Sequence, residues 1–341
     1  MRVARFVSSF VFAGCVSLSV GAAEPAKAPA KVPEPSAQRI PAQEAGFKQA
    51  KIIDVWDKYA GVLTMGKGQT LALVDDGCKP NMPEWNTPVD GVSKVIAQYD
   101  AIDGDDDPAH GKRGYHGSTI GVPSSLNYRS KRGVAYNNQV AIVRGVECCH
   151  CNISEGPTLA KALQWVLDNH KKYNITTVNL APVDDKERGE PSPTEIDAVL
   201  AELRKAGIWV SAPAGNHKFV KGISWPACQP NCIAVGGVTA TDAVYLDRSD
   251  KIELMVPAAA TSSSNAIACG AAMILREAIE KAEYDWKADG ANLPEAMLKI
   301  MQTTGKEVVD TETKKKYRRL DLLAAIDHVA AKGKKPLKAS P

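Results

Sequence analysis

The stretch ATSSSNAIACGAAMIL, residues 260–275, joins a hydroxyl-rich turn to a helix too apolar and too small-sided to lie on a surface. Its small side chains would let the first helical turn come close to other backbone. A serine at that position lies in the positive end of the helix dipole, where a developing negative charge is stabilised. Taken alone, the stretch predicts a serine that caps a core helix. Whether this serine is a helix cap or a nucleophile depends on which residues lie upstream.

The length of the chain suits one large α/β domain or two small ones. It has 341 residues, 44% of them hydrophobic, which is enough to bury a sizeable core. The formal charge of +3 is close to neutral for this size, so we expect no nucleic-acid partner. Beyond the N-terminus no apolar run is long enough to predict a transmembrane segment. The composition does not indicate an oligomeric state.

The N-terminal residues have the pattern of an export signal. Residues 1–23 combine a basic start, an apolar run and a small-residue cleavage site, so a signal peptide and a secreted or periplasmic protein are predicted. Lipoprotein anchoring at Cys15 is an alternative. Residues 24–50 read as a Pro/Ala/Lys-rich linker, residues 51–330 as the folded domain and residues 331–341 as a basic tail.

Apolar runs and helical patterns alternate along the folded domain. The predicted strands are Thr70–Val74, Val92–Tyr99, Gln139–Val146, Thr176–Val183, Gly207–Ala212, Cys232–Val238 and Ile252–Pro257. Amphipathic helices lie between them, for example Leu159–Asn169. This alternation predicts a three-layer α/β fold in which a mostly parallel sheet carries helices on both faces.

Chemically useful side chains follow several of these strands. Asp75 comes directly after a buried strand, at the sheet edge where functional groups gather, whereas Asp76, one pleat away, is not expected to share its position. Of two His-Gly pairs, we favour His116 over His110, because small residues follow His116 as expected where a histidine opens a packed helix. Asn216 ends a later strand.

Together with Ser262, these residues fill the roles of acyl-transfer chemistry. A serine nucleophile needs a general base, the base needs an orienting acid, and the tetrahedral oxyanion needs hydrogen-bond donors. The chain order of acid, base and serine is that of subtilisin.

Six motifs in register resemble the subtilases, the subtilisin-like serine proteases, from about Trp56 to Val329. They are GKGQTLALVDDG (66–77), YHGST (115–119), GVAYNNQVAIVRGV (133–146), SAPAGN (211–216), WPACQPNCIAVGGV (225–238) and ATSSSNAIACG (260–270). In the last motif Gly270 follows Ser262 by the family spacing, which selects Ser262 over its two serine neighbours.

The resemblance implies a subtilisin-like fold and an exported serine endopeptidase that acts on polypeptide substrates. Ser262 would be the nucleophile, His116 the general base and acid, and Asp75 its orienting carboxylate. Asn216 would donate to the oxyanion together with the Ser262 backbone N–H. A dinucleotide-binding protein is disfavoured, since no G-x-G-x-x-G motif follows a strand.

Departures from the family pattern alter the predicted cleft. The family glycine and proline around the serine are Ala260 and Ala266. The Ser-Leu-Gly segment whose backbone pairs with substrate in the family is Ala181-Pro182-Val183 here. Pro182 has no N–H to donate, and Val183 puts a branched side chain where only hydrogen would stand. We therefore expect triad chemistry on an unusual cleft, with a catalytically inactive peptide-binding or scaffolding protein as the alternative.

Two clusters suggest metal ligands, and each has a simpler explanation. Asp103, Asp105 and Asp107 alternate as in a calcium loop, but lack its glycine and distal glutamate, so we expect a solvated acidic loop and no cofactor, with calcium as the alternative. A zinc site in Cys148-Cys149-His150-Cys151 would need adjacent cysteines to share one tetrahedron, so disulfides or free thiols are expected, with Cys78 as the candidate partner for a bridge.

Overall fold

The computed structural model describes residues 39–79, 82–85, 88, 91–109 and 116–338. The predicted signal peptide, Cys15 and His110 lie outside these residues.

Short strands and longer helices alternate along the described chain. The strands are β1 (Ile40–Pro41), β2 (Thr70–Asp75), β3 (Val95–Asp100), β4 (Asn127–Tyr128), β5 (Lys131–Arg132), β6 (Gln139–Arg144), β7 (Ile175–Leu180), β8 (Trp209–Pro213), β9 (Ile233–Val238), β10 (Leu254–Pro257), β11 (Lys306–Val309) and β12 (Lys316–Arg319). The helices are α1 (Glu44–Gln49), α2 (Ile52–Lys58), α3 (His116–Ile120), α4 (Val122–Ser125), α5 (Gly156–Tyr173), α6 (Ile196–Lys205), α7 (Thr261–Ala282), α8 (Leu293–Thr304) and α9 (Leu322–Lys332).

One large sheet organises the described residues. Its nine strands lie in the order β11-β12-β10-β9-β8-β7-β2-β6-β3, and every neighbouring pair is parallel except β11 with β12. β1, β5 and β4 form a second, three-stranded sheet. The strand β2, third from one edge of this sheet, is buried along its whole length, as parallel strands covered on both faces are.

Alternate strand residues belong to different cores, because successive side chains point to opposite faces of a sheet. Leu71 packs in a cluster that includes α7 and α9, whereas Ala72 packs in a second cluster with α5 and α6. Helices therefore cover both faces, and the predicted three-layer α/β architecture is confirmed. No helix among the described residues combines the length and the apolar composition needed to cross a bilayer.

The helix predicted from the serine-rich stretch lies in the core. Most of the 22 residues of α7 are buried, and the helix packs on β7, β8, β9 and β10. A Cβ atom on Gly270 would lie 2.6 Å from Val134 Cβ, so this point of closest approach requires glycine. The small side chains of α7 thus bring it close to its neighbours.

Both ends of the folded part differ from the predicted boundaries. Residues 24–50 were predicted as a coreless linker, yet β1 and α1 lie within this range and Phe47 is fully buried. Residues 331–341 were predicted as a solvated tail, yet Leu337 packs against the α7 core and Lys335 N–H donates to the Ala282 carbonyl at 2.9 Å. An apolar residue within a charged or proline-rich segment anchors it in each case.

Candidate active site

The predicted acid and base meet at the carboxyl end of β2. Asp75, the last residue of β2, is 1% exposed, and His116 is the first residue of α3. His116 Nδ1 lies 2.6 Å from Asp75 Oδ2. Gly117 permits this approach, because a Cβ atom there would lie 2.4 Å from the Gly77 carbonyl oxygen.

This pair favours a positive charge on the imidazole. Burial alone lowers the pKa of His116, but the charge and hydrogen bond of Asp75 outweigh it, so the pKa is raised above its ordinary value. An imidazole that accepts a proton during a reaction is stabilised in this way, and the hydrogen bond at Nδ1 leaves Nε2 as the atom able to accept the proton.

A second carboxyl group, Asp76, supports the same histidine. It is 1% exposed and accepts a hydrogen bond from Gly117 N–H at 3.2 Å. Burial, with the neighbouring charge of Asp75 as the second cause, raises the pKa of Asp76 to about 6. Strand alternation does not exclude Asp76 from the site, because β2 ends at Asp75 and the alternation ends with it. The sequence does carry one signal for a role of Asp76, which is the pair Asp75-Asp76 directly before a glycine.

Ser262 lies at the N-terminus of α7, but it does not cap the helix. The N-cap position is Ala260, which has no capping side chain. The amide of Thr261 instead donates to Asn216 Oδ1 at 2.9 Å, and the Thr261 hydroxyl donates to the same oxygen at 3.1 Å. The capping role expected of a serine is therefore filled by an asparagine from another segment, and among the described residues the Ser262 hydroxyl caps no backbone N–H of the helix.

The same contacts orient the Asn216 side chain. Because a backbone N–H can only donate, the Asn216 atom that faces Thr261 has to be its carbonyl oxygen, and the amide NH₂ is directed elsewhere. Gly215 precedes it with φ at 114° and donates its N–H to Thr261 Oγ1 at 3.1 Å. A Cβ atom on Gly215 would lie 2.1 Å from Asp247 Oδ2, so the turn that presents Asn216 requires glycine.

The structure brings together one predicted pair of site residues and places Asn216 next to a neighbour of Ser262. Asp75 contacts His116, and Asn216 contacts the residue before Ser262. Within the described chain, the 7% exposed Ser262 makes no side-chain hydrogen bond to His116. Contacts between a nucleophile and its base often tighten only when substrate is bound.

The acidic loop is engaged by an arginine. The Arg144 guanidinium donates to Asp100 at 2.7 Å, to Asp103 at 2.9 Å and to Glu147 at 3.0 Å. Asp107 caps the loop by accepting from Ala109 N–H at 3.0 Å. Arg144 is thus a positive partner for Asp103, one of the three aspartates of the predicted acidic loop. Among the described residues, no cluster of three or more His, Cys, Asp or Glu side chains is arranged to hold a metal ion.

Of the two expectations for the cysteines, disulfides or free thiols, the structure shows free thiols. All seven cysteines of the described residues are unpaired thiols, namely Cys78, Cys148, Cys149, Cys151, Cys228, Cys232 and Cys269. The proposed bridge from Cys78 to the cysteine cluster is therefore wrong for this structure. Cys78 Sγ instead accepts a hydrogen bond from the Ser118 hydroxyl at 3.3 Å.

Two known proteins with related sequences are serine proteases. The chain is 24% identical over 182 residues to a cuticle-degrading serine protease of Orbilia oligospora, covering 52% of this chain and 38% of the relative. It is 24% identical over 204 residues to a cuticle-degrading serine protease of Arthrobotrys oligospora, covering 58% of this chain and 45% of the relative. The aligned part thus spans less than half the length of either relative.

A solved structure has a similar fold, and a family profile matches the sequence. A cold-adapted subtilisin-like serine proteinase superposes with a TM-score of 0.54 at 18% identity, covering 75% of this chain and 89% of that protein. The profile of the subtilase family matches residues 66–317, which include Asp75, His116, Asn216 and Ser262. The chain belongs to the subtilase family.

Proposed function

We propose that this protein is a serine endopeptidase that hydrolyses peptide bonds through Asp75, His116 and Ser262. The observation that carries the proposal is the contact of 2.6 Å between the buried Asp75 and His116, on the same domain as a serine in the first turn of α7 that does not cap the helix. The matched family and the serine proteases among its relatives support it.

Each residue has a defined task in the proposed reaction. Ser262 Oγ attacks the carbonyl carbon of the scissile bond while His116 Nε2 takes its proton, and Asp75 stabilises the imidazolium through Nδ1. The Asn216 NH₂ and the Ser262 backbone N–H donate to the oxyanion. Collapse breaks the C–N bond, His116 returns the proton to the leaving amine, and water then hydrolyses the acyl-enzyme by the same steps.

Export is part of the proposal. It rests on the signal-peptide pattern of residues 1–23, with lipoprotein anchoring at Cys15 as the alternative. Polypeptides are the proposed substrates, and the chain's own segments define the cleft they would enter.

An activity-based probe tests the chemistry. A biotinylated fluorophosphonate should label the wild type and Ser263→Ala, whose altered hydroxyl lies next to the nucleophile, but not Ser262→Ala. Hydrolysis of an unfolded polypeptide should follow the same order. A well-folded wild type that stays unlabelled would refute the proposal, and retention of peptides without cleavage would then favour the inactive binding protein.

A further inference from the structure

A strand-wide gap is expected where β2 stops. β2 lies between β6 and β7, so chains continuing on either side of it are two strand spacings apart, roughly 10 Å. The last carbonyls of β2 are occupied, since Ala181 N–H donates to Val74 at 3.0 Å and Gly145 N–H donates to Asp75 at 2.9 Å. Beyond Asp75 an extended peptide could take the place of the missing strand and pair with the flanking backbone.

In this chain the flanking segments close that gap themselves. The chain after β6 pairs directly with the chain after β7 in a parallel bridge between His150 and Val183. Val183 N–H donates to the Cys149 carbonyl at 2.9 Å, and Cys151 N–H donates to the Val183 carbonyl at 2.9 Å. Direct pairing brings the two segments to one strand spacing, about 4.8 Å, which leaves no room for a peptide between them.

The backbone of Val183, which is occupied by these bonds, is the part of the chain with which a bound substrate would have to pair. The resemblance to subtilases assigns substrate pairing to the backbone of Ala181-Pro182-Val183. Pro182 has no N–H, and both backbone groups of Val183 are already bonded to the segment Cys148–Cys151, which we call the covering segment. An incoming peptide therefore competes with a part of the same chain for this edge.

One aspartate ties the covering segment to the loop that carries Asn216. Asp185 Oδ1 lies 3.1 Å from His150 Nδ1 and 3.0 Å from His217 Nε2. His217 also stacks on Phe219, with ring centroids 5.0 Å apart, and its Nδ1 lies 3.4 Å from Asp247 Oδ2. The Asp185 side chain is 60% exposed and that of His150 61% exposed, so their contact is weak enough to break and re-form.

We propose that the covering segment is a reversible gate on the substrate edge, held closed by the Asp185 bridge between His150 and His217. The gate excludes extended peptides until it moves away from Val183, whereas a small reagent reaches Ser262 without displacing it. This inference rests on the proposed peptidase function and adds its regulation.

Substrates of different length distinguish an effect on the gate from an effect on the catalytic step. Asp185→Ala removes the shared acceptor, so kcat/KM for a hexapeptide amide should rise about 3- to 10-fold, as expected when weak exposed contacts are lost. The rate of fluorophosphonate labelling and kcat/KM for a single-residue ester should stay within about twofold, since neither needs the edge. Asp168→Ala, which removes an exposed aspartate of α5, is the matched control and should change none of these rates.

The outcomes distinguish the gate from the function. A selective gain on the hexapeptide, with faster amide exchange at Cys151 and Val183, supports the gate. Labelling of the wild type with no gain on the hexapeptide, or with an equal gain on all three reagents, overturns the gate and leaves the peptidase function standing. A folded wild type that is never labelled overturns both.

Discussion

Replacing Asp76 with asparagine should stabilise the protein at neutral pH. Burial raises the pKa of Asp76 to about 6 from an ordinary 3.8, with the charge of Asp75 as the second cause. The folded state therefore disfavours the charged carboxylate. Asparagine removes the charge and keeps a carbonyl oxygen to accept from the Gly117 N–H.

The size of the effect follows from the pKa shift. A shift of about 2 units corresponds to roughly 3 kcal/mol in the free energy of unfolding, as an upper limit for a carboxyl coupled to a neighbour. Below pH 3.8 the carboxyl is protonated in both states and imposes no penalty. As the pH rises from about 4 to about 6, the free energy of unfolding of the wild type should fall by up to this amount. The stability advantage of Asp76→Asn should therefore grow over that window and stay constant above it.

Urea unfolding at a series of pH values measures this difference. Asp168→Asn, an exposed aspartate on α5, serves as the control and should show no such pH dependence. Loss of the Asp76 charge should also lower the pKa of His116, so the acid limb of kcat/KM should move to lower pH. A variant that is less stable than the wild type at pH 7, or equally stable at every pH, would refute the reasoning.

Two further variants test how the site is built. Asn216→Asp keeps an oxygen for the two Thr261 donors but loses the amide NH₂, so kcat should fall by roughly 10²- to 10³-fold with little change in KM, and an unchanged kcat would remove Asn216 from the oxyanion site. Gly215→Ala should cost roughly 2–4 kcal/mol of unfolding free energy, because it combines a positive φ with a clash against Asp247. Gly207→Ala, with positive φ but open space around it, should cost only about 1–2 kcal/mol, and equal losses would show that the clash is relieved.

The sequence predicts those parts of the site that depend on local pattern. Asp75 is predicted because a buried strand leads to it and parallel strands place their ends at one edge, and the structure places it at the end of β2. His116 was preferred because small residues follow it, and Gly117 indeed packs against the Gly77 carbonyl. Each of these signals can be read within a few positions of the residue itself.

The missed features depend on contacts between distant segments. Arg144 meets Asp100 across 44 positions, so nothing near the acidic loop reveals which cation it holds. His150 meets Asp185 across 35 positions, and their contact exists only because β6 and β7 flank β2. The strand order of a sheet decides such pairs, and residue patterns do not encode that order directly.

The burial of α7 determines how this protein would lose Ser262, the proposed nucleophile, from its folded position on heating. Ser262 lies in the first turn of a helix whose remaining turns fill the core between the sheet and α9. A nucleophile on a surface loop can fray while the domain stays intact, but this helix cannot unwind without exposing that core to water. Thermal inactivation and loss of the hydrophobic core should therefore be one cooperative event, so the rate of global unfolding sets the lifetime of the site.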